Sequence, residues 1–148
     1  MEALLRLAPN HVPALGNWAV LLTNEKKHSE ALAVLDRALA VEPNNADLLL
    51  ARGHALMALQ RYAEALAAFG KAAEAKPGSP EAHLARANAL MELRRLDEAL
   101  LACDKSIAAE RDYAPGLLLR GNLLLHLGRA ARGGVGLDEA DSLDGVLR

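Results

Sequence analysis

The sequence predicts an all-α fold, an α–α superhelix of antiparallel helix pairs, on three observations. The first is composition. Ala and Leu each occur 31 times in 148 residues, whereas Val, Ile and Thr together supply eight and aromatic residues make up 3%. Strands need β-branched and aromatic side chains to pack a pleated surface, so a sheet protein is excluded. Ala, Leu, Glu, Arg and Lys lose little rotamer freedom in helices and favour them instead. The second observation is apolar residues at three- and four-residue spacing, and the third is a 34-residue period.

Several registers share that period. Pro9, Pro43 and Pro77 lie 34 residues apart, as do Ala31, Ala65 and Ala99, and Leu35, Phe69 and Cys103. Leu22, Leu56, Leu90 and Leu124 follow the same ruler, and Gly53 aligns with Ala19, Ala87 and Gly121.

One period holds two helices. Asp47 to Gln60 carries Leu49, Leu56 and Leu59 on one face, and Tyr62 to Lys76 carries Tyr62, Leu66, Phe69 and Ala73. Gln60-Arg61 is the polar turn between them. Pro77-Gly78 ends the second helix, because Pro lacks an N–H and disfavours helix in the residue before it. Ser79-Pro80-Glu81 then reads as an N-cap, a first-turn Pro and an acid favoured by the helix dipole. Four units are expected, at residues 12–45, 46–79, 80–113 and 114–148. Residues 1–11 match the last turns of a second helix, either an N-terminal cap or the remnant of a preceding repeat in a longer array. The fourth unit is expected to be degenerate after Leu127, because Gly133, Gly134 and Gly136 each cost a helix about 1 kcal/mol relative to Ala.

The run Leu49-x-x-Arg52-Gly53-x-x-Leu56, followed by Ala65-x-x-x-Phe69, Ala72 and Pro77, resembles a tetratricopeptide repeat of bacterial style. The small residues Gly53 and Ala65 fall where the two helices of such a hairpin cross. The resemblance implies a stack of hairpins whose first helices line a concave groove for a partner's peptide or helix. Carried onto this sequence, the groove positions are Gly16, Val20 and Thr23, then Asp47, Leu50, His54 and Met57. Glu81, Leu84, Asn88 and Met91 follow in the third unit, and Leu118, Asn122, Leu125 and His126 in the fourth. A Leu or Met stripe fits a core as well as a groove, so Met57 and Met91 stay open between the two. Asn is a poor helix former, which favours a groove role for Asn88 and Asn122; His54, His83 and His126 read as polar surface.

Two relatives are weighed by the same resemblance. The set of cations that clamps an acidic chaperone tail is missing, since Gly16, Leu50, Glu81 and Ala85 stand in its places. The Asn ladder of N-acetylglucosamine transferase arrays is met at Asn17 and not at Ala51, Ala85 or Leu119. The wording Arg52-Gly53, Arg120-Gly121 and Arg-x-x-Glu-Ala-Leu at Arg61 and Arg95 nevertheless resembles the arrays preceding bacterial transferases of that kind.

The net charge of −2 gives no footprint for nucleic acid. The uncharged run ending at Asn24 contains Pro9, Pro13, His11 and three Asn, so no membrane insertion is expected. No basic stretch leading into an apolar one opens the chain, and a cytoplasmic location is expected. Nothing points to an enzyme, a cofactor or a metal. Cys103 shares the slot of Phe69 and Leu35 and reads as a buried thiol, no His pair has zinc-ligand spacing, and Arg132–Gly136 lacks the Lys-Ser/Thr ending of a phosphate loop. Asp97-Glu98 and Asp138-Glu139 read as solvated acids. The sequence therefore predicts a scaffold or adaptor that binds a protein or peptide. The alternatives are a substrate-recognition region of a larger enzyme, such as a bacterial O-linked N-acetylglucosamine transferase, and a structural scaffold that self-assembles through its terminal helices.

Overall fold

The computed structural model describes residues 10–135, which form α1 (Val12–Asn24), α2 (His28–Val41), α3 (Ala46–Ala58), α4 (Tyr62–Ala75), α5 (Pro80–Glu92), α6 (Leu96–Ala109) and α7 (Ala114–Val135). Residues 1–9, which carry the expected cap, and 136–148 lie outside the described residues. Helix starts at Val12, Ala46, Pro80 and Ala114 repeat the 34-residue stride. Each helix packs on the next, while α3 also touches α5 and α5 touches α7. The result is an all-α superhelix with the odd-numbered helices side by side.

Local chemistry sets each boundary. The backbone N–H groups of Ala14, Leu48 and Ala82 are accepted by His11 Nδ1, Asn45 Oδ1 and Ser79 Oγ, at 3.1, 3.2 and 3.3 Å. Three different residues 34 apart thus satisfy the same orphan donor of a helix start. Each hairpin turn places one residue in the left-handed region: Lys26, Gln60 and Arg94, at φ 61°, 59° and 61°. The next N–H then reaches back to the helix, Lys27 to the Leu22 carbonyl, Arg61 to Leu56 and Arg95 to Leu90, at 2.8 to 2.9 Å.

The buried side chains form a row of clusters along the stack. Leu15, Ala19, Ala31 and Leu35 fill the first hairpin, Leu56, Ala65 and Phe69 the second, and Ala87, Leu90, Ala99 and Cys103 the third. Ser106, standing where Ala38 and Ala72 stand, is fully buried and donates to the Pro80 carbonyl at 2.9 Å, pinning α6 to the first turn of α5. His83 is not surface. It is 8% exposed, and its Nε2 lies 2.8 Å from the Pro77 carbonyl, an acceptor that requires the proton on Nε2.

The fourth unit, expected to be degenerate after Leu127, holds a single described helix. No turn forms after Leu127; α7 continues as one helix of 22 residues, through Gly133 and Gly134. The positions that face the second helix in other hairpins are left open on α7. Leu117 is 48% exposed, whereas its equivalents Leu15, Leu49 and His83 are at most 8% exposed.

Candidate partner-binding groove

The odd-numbered helices present their inner faces side by side, and an open hollow lies between α1 and α3. It is a cavity of about 490 Å³. Gly16, Asn17, Val20 and Thr23 line it from α1, and Asp47, Ala51 and His54 from α3, with Ala19, Leu35 and Leu48 among the apolar lining. The hollow exists because α1 brings small side chains to this face. Among the described residues only Leu48 comes near the missing Cβ of Gly16, at 3.9 Å, and the Thr23 hydroxyl donates back to the Ala19 carbonyl at 2.8 Å. Val20 stays 57% exposed, a large apolar side chain left to the groove.

His54 is the polar group with a fixed setting here. Its ring meets Phe69 edge-on, with centroids 5.1 Å apart and planes at 62°. Desolvation lowers its pKa from the usual 6.5, so the imidazole is neutral near pH 7. Asp47 is highly exposed and has Lys76 at 4.0 Å. Glu81, at the same place one repeat later, is exposed and accepts from the Ser79 hydroxyl at 3.0 Å.

Of the expected groove residues, the cavity gathers Gly16, Val20, Thr23, Asp47 and His54. Leu50 and Met57 are half-buried against the core between α3, α4 and α5, and Met91 against the cluster of α5, α6 and α7. Both methionines thus pack against the core. Leu84 is half-buried, while Asn88, Leu118, Asn122, Leu125 and His126 are exposed along α5 and α7. Asn24 and Leu48 also line the cavity beyond the expected groove positions, and Asn17 and Ala51 line it from the ladder register. The signal was available, because Ala51 shares the register of Asn17 and completes the same helix face.

The motifs that resembled transferase arrays have partners within the chain. Arg52 on α3 donates to Asp36 on α2 at 2.7 Å, and Arg120 on α7 donates to Asp104 on α6 at 3.0 Å. Arg61 makes a two-pronged pair with Glu64, at 2.9 and 2.6 Å. Arg95 does the same with Glu98, whose hydrogen bond from the guanidinium holds that carboxyl below its usual range. These pairs lock neighbouring helices and helix starts. Cys103 is fully buried, with its thiol pushed up to about 11 by burial and then by Asp104. Among the described residues no group of His, Cys, Asp and Glu is arranged to hold a metal ion, and no helix is long and apolar enough to cross a membrane. Asp138-Glu139 and Gly136 lie outside the described residues.

Two sequence families match the chain, both described as tetratricopeptide repeat, one over residues 15–89 and the other over residues 56–123. Solved structures share the architecture at low identity. The TPR domain of Sgt2 from Aspergillus fumigatus is 20% identical, with a TM-score of 0.80 over 85% of this chain and 85% of its own. The first TPR of Spaghetti (RPAP3), bound to the HSP90 peptide SRMEEVD, is 19% identical, with a TM-score of 0.75 over 78% and 92%. MamA is 18% identical, with a TM-score of 0.78 over 96% and 79%. No curated protein matches the sequence. At these identities the likeness is one of fold.

Proposed function

This chain belongs to the tetratricopeptide repeat family, and on that footing we propose that it is a non-catalytic adaptor holding a partner's peptide or helix in the groove of α1, α3, α5 and α7. The observation that carries the reading is the open apolar cavity between α1 and α3. A structure related in fold holds a peptide, SRMEEVD, and this supports peptide capture as the kind of task. An acidic tail of that sort is a poor match here, because Leu50, Glu81 and Ala85 offer it no cation. Asn88 and Asn122, exposed on α5 and α7, are proposed to hydrogen-bond the partner's backbone. The arginines of the transferase-like motifs make ion pairs within the chain.

The test is to fill the cavity from α3 with Ala51→Trp and, separately, to combine Asn88→Arg with Asn122→Arg. Partner capture from the source cell is expected to be lost in both while circular dichroism is unchanged. Full capture by both variants contradicts the groove reading.

A second reading, self-association through the last helix, is favoured by the face of α7 where Leu117 is 48% exposed and Gly121, among the described residues, has nothing within 4 Å of an added Cβ. Sedimentation equilibrium across concentration tests it: Leu117→Glu should abolish self-association, and a strict monomer at high concentration removes the idea.

A further inference from the structure

We infer that the groove's occupant carries Lys or Arg beside a bulky apolar residue, with the apolar side chain in the α1–α3 cavity and the cation toward Asp47 and Glu81. The inference rests on the groove reading above and adds the chemistry of the partner.

Charge complementarity carries it. The positions that line the cavity recur every 34 residues along α1, α3, α5 and α7, and none of their equivalents is Lys or Arg. Their ionised groups are Asp47, Glu81 and Glu92, all exposed. Acids in the first turns of α3 and α5 are also favoured by the helix dipole. That explains where Asp47 and Glu81 stand, yet not why none of the cavity-lining registers carries a cation in a chain with 17 of them. Lys76 does not satisfy Asp47. Its ammonium stands 4.0 Å away and the Asp47 side chain remains 83% exposed, so the carboxylate is open to a second cation.

Tyr113 is held above its usual value by burial and, after it, by the nearby acids Glu81 and Glu110. His54 stays neutral near pH 7 and supplies no charge. The cavity, at about 490 Å³, falls within the size range of pockets that enclose a small ligand, ample for one large side chain and its flanking backbone. An acidic peptide would set like charges against Asp47 and Glu81.

Three fluorescein-labelled peptide pools of equal length test this by anisotropy with the full chain: Leu/Phe with Lys/Arg, Leu/Phe with Asp/Glu, and Ser with Lys/Arg. Only the apolar–basic pool is expected to bind. Asp47→Lys combined with Glu81→Lys should weaken it about tenfold, the size expected for reversing two exposed charges. Glu30→Lys combined with Asp97→Lys, of equal charge change on other helices, should leave it intact, and Ala51→Trp should abolish it. Equal or better binding of either other pool, binding of none, or indifference to the Asp47 and Glu81 reversal overturns the inference. Indifference to charge with loss on Ala51→Trp leaves the groove reading standing, whereas binding that ignores Ala51→Trp removes that reading as well.

Discussion

The ring of Phe69 on α4 lies directly over Gly53 on α3, so close that a methyl group on Gly53 would overlap ring carbons Cδ1, Cε1 and Cζ. The crossing of the second hairpin is thus built from one absent and one large side chain. At Gly121, in the same register on α7, an added methyl meets nothing within 4 Å among the described residues. Gly53→Ala should therefore cost about 1–3 kcal/mol through overpacking. Gly121→Ala should stabilise by up to about 1 kcal/mol, because Ala is the better helix former. Thermal melts of both variants decide it, and adding Phe69→Leu to Gly53→Ala should recover part of the loss.

The turns give a prediction of opposite sign. Lys26, Gln60 and Arg94 adopt left-handed backbone without being glycine. Left-handed backbone strains L side chains by about 1–2 kcal/mol, part of which Gly returns as extra freedom in the unfolded chain. Gln60→Gly is expected to raise the melting temperature by the equivalent of up to about 1 kcal/mol, and Gln60→Val to lower it.

Cys103 should be inert in the native state. With its thiol at about 11, roughly one molecule in a thousand carries the thiolate at pH 8. Iodoacetamide is expected to label Cys103 slowly in buffer and readily in urea, with mass spectrometry as the readout. Stability should fall as pH rises from 9 toward 11, because the unfolded thiol releases a proton that the folded one keeps.

His54 acts at the other end of the scale. Its folded pKa lies below 6.5, so the unfolded chain binds the proton more readily and stability falls as pH drops below 6.5. His54→Gln should flatten that part of the curve in urea titrations between pH 7 and pH 5. Protonation of the folded imidazole, which begins only at a lower pH than in the unfolded chain, adds a cation to the groove, so binding of an apolar–basic peptide should weaken toward the acidic end of the range in the parent and not in His54→Gln.

Much of the frame was legible because it repeats. Phe69, Cys103 and Leu35 share one slot, and Ser79-Pro80 announces a helix start, so periodicity and capping place them without coordinates. His11 as a cap was not legible, since His is an unusual choice there and only the ring's orientation makes Nδ1 an acceptor. His83 read as surface because a polar type in a Leu register looks exposed; the Pro77 carbonyl that it meets comes from the loop before α5. The straight course of α7 through Gly128 was hidden too, because Gly permits the turn without enforcing it. Within the groove, the register revealed which face points inward, whereas the depth between α1 and α3 depends on how Gly16 and Leu48 stack.

The central claim is that a partner lies along the inner faces of α1 and α3, and backbone chemical-shift mapping tests it most directly. With ¹⁵N-labelled protein and an apolar–basic peptide, the largest shifts are predicted at Gly16, Val20, Ala51 and His54, with smaller ones at Asn88. Shifts confined to the outer positions Ala33, Ala67 and Leu101, with those groove residues unmoved, would contradict the account.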